Sequence, residues 1–151
     1  MEYQSLVKDF ALRTRKNLEA VREIQRTDPD KVYEVTQLIN SMLGLLVFPQ
    51  QKYFDNIPST PIAELKKEGW PVPQVIGVYP DVIDLRELLR YLRNAAAHFN
   101  LEFDNDDRGQ IAGLRVWNTN PRTQQITWMA CLSVGDLEAI TDKFVALILV
   151  E

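Results

Sequence analysis

This chain of 151 residues has few of the residue types that build covalent or metal-based frameworks. It contains one cysteine, Cys131, and one histidine, His98. A single cysteine excludes an intramolecular disulfide, and without a cluster of cysteines and histidines there is no typical structural zinc site. No P-loop or glycine-rich dinucleotide motif is present. The longest apolar runs have seven residues, whereas a membrane span requires roughly 18. We therefore expect no metal, no cofactor and no membrane attachment.

The rest of the composition is that of an ordinary folded protein. Hydrophobic residues make up 46% and charged residues 25%, which is typical of globular chains, and the length fits one domain over residues 1–151. The net charge of −4 excludes a generally basic nucleic-acid coat, so any RNA binding must use a local patch. The first ten residues lack the apolar run of a signal peptide. This start favours a reducing, cytoplasmic location.

Hydrophobic periodicity and capping residues predict five helices and three strands. The helices are expected over residues 4–26, 29–48, 61–69, 82–99 and 134–150. Asp28, Asp81 and Ser133 are the expected N-caps, and Pro49 is expected to end the second helix. Short antiparallel strands are expected at 101–103, 114–117 and 125–132. We therefore predict a mainly α fold, a helical bundle with a small antiparallel β-meander inserted before the last helix.

The predicted helix 82–99 has two different faces. At 100° per residue, one face is apolar and is expected to contact the core; its members are Leu85, Leu88, Leu89, Leu92, Ala95, Ala96 and Phe99. The opposite face carries Glu87, Tyr91, Asn94 and His98, and three arginines flank it, Arg86, Arg90 and Arg93. We therefore expect His98 to point away from the core and Phe99 to point towards it.

The polar face has two interpretations without a function. It is either a solvated surface, or His98 is a structural histidine whose hydrogen bonds are made within the protein. A solvated face would carry lysine and glutamate, whereas His98 is surrounded by a tyrosine, an asparagine and three alanines. Uncharged polar side chains with small neighbours suit packing against another helix, for example one from a second subunit.

Residues 93–98, RNAAAH, resemble the Arg-polar-x3-His signature of the HEPN domains. These are intracellular α-helical domains, and many are metal-independent ribonucleases of toxin–antitoxin, phage-defence and RNA-processing systems. The expected β insert before the last helix is also similar to a compact plasmid- or phage-associated HEPN branch. The resemblance implies an RNA substrate and an antitoxin or defence protein as partner. Some HEPN toxins have a modifiable tyrosine two residues after the histidine, but Asn100 stands there, so an antitoxin would act by binding.

The chemistry of RNA cleavage fits these residues independently of the resemblance. RNA supplies its own nucleophile, the 2′-OH, which DNA lacks. Histidine exchanges protons near neutral pH, so His98 suits a general base or acid. The guanidinium of Arg93 matches phosphate oxygens and would stabilise the phosphorane, while Asn94 would orient the substrate or the imidazole. We predict these three residues as catalytic.

Arg86, Arg90 and Tyr91 are weaker predictions for substrate binding. The two arginines would extend a phosphate track, although ion pairing is the commoner fate of helical arginines. Tyr91 lies one turn before Asn94.

The spacing of Arg93 and His98 predicts a homodimer. Five positions separate them by about 140° around a helix, so one copy cannot easily direct both at one phosphate. Two copies of the helix end at a two-fold axis would form a composite site, and family resemblance implies the same arrangement.

Other functions stay open at this point. The chain could be a non-catalytic HEPN-like module that binds a nucleotide, an RNA or a partner protein, or a small helical scaffold with an accidental resemblance. Trp117 and Trp128 could stack on bases, but apolar alternation along 126–132 favours packing for Trp128.

Overall fold

The structure, a computed structural model, describes residues 3–150, and for 3–5 and 48–52 it describes the backbone alone. Within these limits it contains five α-helices and four strands. The helices are α1 (Tyr3–Thr27), α2 (Glu34–Tyr53), α3 (Ile62–Lys67), α4 (Leu85–Ala97) and α5 (Val134–Val150). The strands are β1 (Gln74–Val75), β2 (Leu101–Asn105), β3 (Ile111–Thr119) and β4 (Ile126–Ser133).

The fold is mixed: the five helices account for most of the regular structure, and the four strands for most of the rest. The strands form one antiparallel sheet in the order β1-β4-β3-β2. Strand β1 is not among the strands that the sequence predicts. This strand has only two residues and lies in a proline-rich segment. It forms because Gln74 and Val75 pair with Cys131 and Ala130 of β4. Such a long-range pairing leaves no pattern in the local sequence.

Helix α2 lies at the centre of the helical layer and packs against α1, α4 and α5. Helices α4 and α5 also contact the sheet. The apolar face of the sheet is buried against them; its members include Leu114, Val116, Trp128, Ala130 and Leu132. Trp128 is only 1% exposed, which confirms the prediction that it packs in the core. Trp117, which alternates to the other face of β3, is half-buried.

Helix α2 begins and ends later than predicted. The Asp28 amide donates to the Ile24 carbonyl (2.7 Å), so Asp28 extends the end of α1 and does not cap α2, which begins at Glu34. At its other end α2 continues through Pro49 to Tyr53, although proline removes one backbone hydrogen bond. Buried side chains on both sides of the proline, Leu46 and Tyr53, anchor this part of the helix.

Helix α4 begins at Leu85, because the N-cap is Asp84 and not Asp81. The Asp84 carboxylate accepts a hydrogen bond from the Glu87 amide (2.8 Å), and the Glu87 carboxylate accepts one from the Ile83 amide (2.8 Å). This reciprocal pattern is a variant of the capping box. It fixes the start of the helix that carries the candidate site.

The described residues contain neither a membrane span nor a metal-binding cluster. Between residues 3 and 150, no helix combines the length and the apolar character needed to cross a membrane. The same part of the chain has no group of three or more His, Cys, Asp or Glu side chains placed to hold a metal ion.

Candidate functional site

Helix α4 is held in place by its apolar face, which leaves its polar face available. Its buried residues are Leu85, Leu88, Leu89, Leu92 and Ala95. The sheet adds a polar tie, since the buried Asn118 side chain of β3 donates to the Tyr91 carbonyl (3.3 Å). The C-terminal end of α4 is therefore fixed against the sheet, and the predicted catalytic residues lie at this end.

Arg93 and Asn94 form a hydrogen-bonded pair in the last turns of α4. Nη1 of Arg93 donates to Oδ1 of Asn94 at 2.9 Å, and both side chains are half-buried. Nε of Arg93 is buried and has no hydrogen-bond partner among the described residues. A buried donor without a partner is costly in a folded protein, and guanidinium donors are suited to phosphate oxygens. The hydrogen bond to Asn94 therefore anchors the guanidinium, while its Nε lies against the interior of the protein.

His98 is the C-cap residue of α4, and its side chain is exposed. Its backbone amide donates to the Asn94 carbonyl at 3.0 Å, which places the histidine directly after the last turn that contains Asn94. The expectation that His98 points away from the core is confirmed. Its imidazole is accessible for proton transfer to a bound substrate.

Phe99 does not face the core, contrary to the sequence prediction. It has a positive φ of 55° and is 77% exposed. The helix has ended before this position, because the Phe99 amide bonds to the Ala96 carbonyl (3.2 Å) and the Asn100 amide to the Ala95 carbonyl (2.8 Å). These two bonds form a Schellman motif. The helical angle per residue no longer applies, and the ring turns into solvent beside His98.

Glu87, Arg90 and Tyr91 form a connected cluster one turn before the Arg93–Asn94 pair. The Tyr91 hydroxyl donates to Glu87 (2.9 Å), and Arg90 lies 3.7 Å from the same carboxylate. The Tyr91 ring packs against Trp128, with 5.1 Å between ring centroids. Burial and, next, the hydrogen bond and negative charge of Glu87 raise the pKa of Tyr91 above 10.0. Tyr91 is therefore a neutral hydrogen-bond donor that joins the polar face to the sheet.

Arg86 is occupied by backbone carbonyls. Its guanidinium donates to the Ile57 carbonyl from Nε (3.0 Å) and Nη2 (2.7 Å), and to the Asp55 carbonyl from Nη2 (3.0 Å). The guanidinium also lies 5.6 Å from the ring centroid of Phe54. These contacts hold the end of a 3₁₀ turn, Phe54–Asn56, against α4. The predicted phosphate contact at Arg86 stays a prediction, and these contacts weigh against it.

Within the described part of the chain, Arg93 and His98 make no hydrogen bond with each other. The structure brings Arg93 and Asn94 together and places His98 at the same helix end, but one copy does not join all three. Sequence reasoning missed Phe99 as a site neighbour. The available signal was that no glycine stands at 98–100, the place where a helix end most often has one.

The end of α4 thus carries the three residues of the Arg-polar-x3-His signature, Arg93, Asn94 and His98. The chain belongs to the HEPN pEK499 p136 family, whose model matches residues 1–151. This confirms the predicted plasmid-associated HEPN branch. The family indicates nuclease or RNA-related function in general, and HEPN domains generally act as dimers. No curated protein and no solved structure matches the chain.

Proposed function

We propose that this protein is a metal-independent endoribonuclease of toxin or antiphage-defence type, active as a homodimer. The observation that carries the proposal is the end of α4, where Asn94 holds the Arg93 guanidinium and His98 is exposed. We further propose that the chain is a HEPN-like helical bundle with the strands β2 to β4 as a meander before the last helix. RNA is the substrate, and an antitoxin or defence protein is the partner.

The proposed reaction is an internal transfer at phosphorus. The substrate 2′-oxygen attacks the adjacent phosphorus, the bond to the 5′-oxygen breaks, and the products are a 2′,3′-cyclic phosphate and a 5′-hydroxyl. In each site one His98 accepts the proton of the 2′-OH as the phosphorane forms, and the resulting imidazolium gives that proton to the 5′-oxygen as it leaves. Arg93 donates to the phosphate oxygens as negative charge develops. No water is consumed in this step.

The position of the groups supports a site that takes residues from two copies. Arg93 is half-buried and tied to Asn94, whereas His98 is exposed beyond the end of the helix. At a two-fold axis between two α4 ends, the guanidinium of one copy faces the imidazole of the other. The general occurrence of HEPN domains as dimers supports this arrangement.

The deciding experiment is cleavage of end-labelled structured and unstructured RNA by the purified full chain in EDTA. Wild type should cut and leave 2′,3′-cyclic phosphate ends, while Arg93→Ala and His98→Ala should each lower the rate at least about 100-fold. Arg115→Ala is the matched control, because this arginine is ion-paired to Glu102 on the sheet. Equal cutting by all four proteins would overturn the proposed site. Cutting that EDTA abolishes would contradict the metal-independent mechanism.

A non-catalytic module that binds a nucleotide, an RNA or a partner protein is the second candidate. The Arg93 guanidinium held by Asn94 favours it, because a guanidinium with a restricted direction suits a bound anion whether or not a reaction follows. This module would bind RNA without cutting it, and binding would weaken in Arg93→Ala but not in His98→Ala. Expression in cells separates the two further, since growth arrest by wild type but not by His98→Ala requires the catalytic histidine.

A further inference from the structure

Phe99 is an aromatic residue in a backbone conformation that normally belongs to glycine. Its φ is 55°, and it occupies the first position after the C-cap of α4. Helices that end in a Schellman motif usually have glycine at this position, sometimes asparagine. A large side chain is strained there, and residues held in such a conformation cluster at functional sites.

The fold explains the turn but not the phenylalanine. The chain must reverse between α4 and β2, whose first residue, Leu101, pairs with Val116. Glycine would make this reversal without strain. Phe99 gains little in return, because 77% of its side chain is exposed to solvent. The side chain therefore serves something other than the stability of the isolated chain.

The backbone that carries the ring is held in a defined place. Hydrogen bonds flank residue 99, from the Phe99 amide to Ala96 (3.2 Å), from the Asn100 amide to Ala95 (2.8 Å), and from the Trp117 amide to the Asn100 carbonyl (3.1 Å). The backbone of residue 99 is thereby fixed between the helix end and the sheet. An aromatic side chain on a fixed backbone has only two torsions to order when a ligand stacks on it, so the entropic cost of binding is small.

The neighbours of the ring in the chain favour RNA over a second protein surface. Phe99 stands alone between two polar residues, His98 and Asn100, and the helix before it presents the Arg93–Asn94 pair. The centre of a protein interface is a continuous apolar patch with few charged groups. Single-stranded RNA instead binds to isolated aromatic rings beside cationic groups that contact its backbone.

We propose that Phe99 stacks on a nucleobase next to the cleaved phosphate and so positions the RNA strand against His98. This inference rests on the proposed function, since it places the substrate at the same helix end. Phe99 is a positioning residue and takes no part in proton transfer. Because every base has an aromatic face, it contributes affinity for single-stranded RNA without selecting a sequence.

Cleavage kinetics give the first test. Replacing a stacking aromatic by alanine raises a dissociation constant by about 5- to 150-fold. Phe99→Ala should therefore raise KM by such a factor, with a smaller change in kcat. Phe99→Trp, which keeps an aromatic ring, should have a KM close to that of wild type. Phe99→Gly should weaken RNA binding as strongly, yet raise the Tm by about 2–4 °C because the strain is removed. A merely structural phenylalanine would show the opposite change in Tm. Tyr33→Ala, which removes an aromatic ring that is 86% exposed, is the matched control.

A binding test separates this inference from the nuclease itself. The probes are single-stranded RNAs, each with a single 2-aminopurine at a different position. They are added to the His98→Ala chain, so that the fluorescence signal does not depend on cleavage. At one label position the fluorescence should be quenched, and the quenching should disappear in His98→Ala/Phe99→Ala and persist in His98→Ala/Phe99→Trp.

Each outcome decides the question. Unchanged KM and quenching in Phe99→Ala would overturn the stacking role while leaving the nuclease in place. Loss of the wild-type dimer in Phe99→Ala would show that the ring contacts a second copy, which also overturns the proposal. Quenching without cleavage by wild type would support stacking and reject the nuclease. Absence of RNA binding by wild type would reject both.

Discussion

Arg93 and Asn94 are neighbours in the chain, and Nη1 of the arginine donates to Oδ1 of the asparagine at 2.9 Å. Successive residues on a helix point about 100° apart and do not normally face each other. The long arginine side chain must therefore bend towards Asn94, and the bond restricts the direction of the guanidinium. Asn94 has a positioning role in the proposed site through this contact.

Removal of the Asn94 amide should lower activity without unfolding the protein. In Asn94→Ala the guanidinium loses its acceptor, and a small displacement of a catalytic group can cost about 100-fold in rate. We expect kcat/KM for RNA cleavage to fall by about 10- to 100-fold, with a Tm close to that of wild type. Asn40→Ala, on the exposed side of α2, is the control. Full activity in Asn94→Ala would show that the bond does not position Arg93.

A composite site predicts complementation between two inactive variants. When Arg93→Ala and His98→Ala chains are mixed and allowed to exchange, half of the dimers are mixed, and one of their two sites has both groups intact. About a quarter of the wild-type activity should return. The measurement is cleavage of one RNA before and after exchange. No recovery, although exchange is verified by sedimentation of tagged chains, would mean that each copy provides a complete site.

Arg86 should act on stability and not on RNA binding. Its bonds to the carbonyls of Ile57 and Asp55 are lost in Arg86→Ala, which should lower the free energy of unfolding by about 1–3 kcal/mol. Urea denaturation measures this change. The RNA dissociation constant of the folded fraction should equal that of wild type. A clear loss of RNA affinity would instead support the phosphate contact that the sequence predicted.

The two aspartates before α4 should differ in their contribution to stability. Asp84 caps the helix through its bond to the Glu87 amide, so Asp84→Ala should cost about 1 kcal/mol and lower the Tm by about 2–4 °C. Asp81 is exposed and lies before the helix, so Asp81→Ala should change stability by less than about 0.5 kcal/mol. Thermal unfolding of both variants measures the difference. Equal losses would contradict the capping geometry.

Tyr91 should make stability depend on pH in the alkaline range. Burial and Glu87 raise the pKa of Tyr91 in the folded chain above 10.0, so the neutral phenol favours folding. This stabilisation is complete below about pH 10 and is lost as the pH rises through the raised value. The difference in unfolding free energy between wild type and Tyr91→Phe should therefore be about 1 kcal/mol near neutral pH and shrink in alkali. Urea unfolding at several pH values tests this.

Tyr33→Phe, which removes an exposed hydroxyl, is the control for this series. If the difference between wild type and Tyr91→Phe grows above about pH 10, the pKa of Tyr91 is lowered by folding and not raised.

Of the three predicted N-caps, only Ser133 is correct. Ser133 was expected to cap the last helix, and its hydroxyl accepts from the Asp136 amide at 3.0 Å. The start of α2 was predicted wrongly although Asp28-Pro29 is also a local signal. An aspartate can also follow the end of the preceding helix, and here the Asp28 amide donates to the Ile24 carbonyl of α1. Asp28-Pro29 is compatible both with the end of one helix and with the start of the next, and the local sequence does not decide between them.

The sequence alone determined the two faces of α4 and the choice of Arg93, Asn94 and His98 as candidate residues. Helical spacing and the motif are properties of residues close together in the chain, so they can be recognised without the structure. The tertiary structure decided three other features. These are the strand β1, the carbonyl contacts of Arg86 and the exposed ring of Phe99. Two of them depend on groups far apart in the chain, namely the pairing of Gln74 with Cys131 and the packing of Arg86 on residues 55–57. The third combines the local bonds of the helix end with a long-range bond from the Trp117 amide to the Asn100 carbonyl. Local periodicity contains no information on such contacts, since the long-range pairing energy of the folded chain selects them.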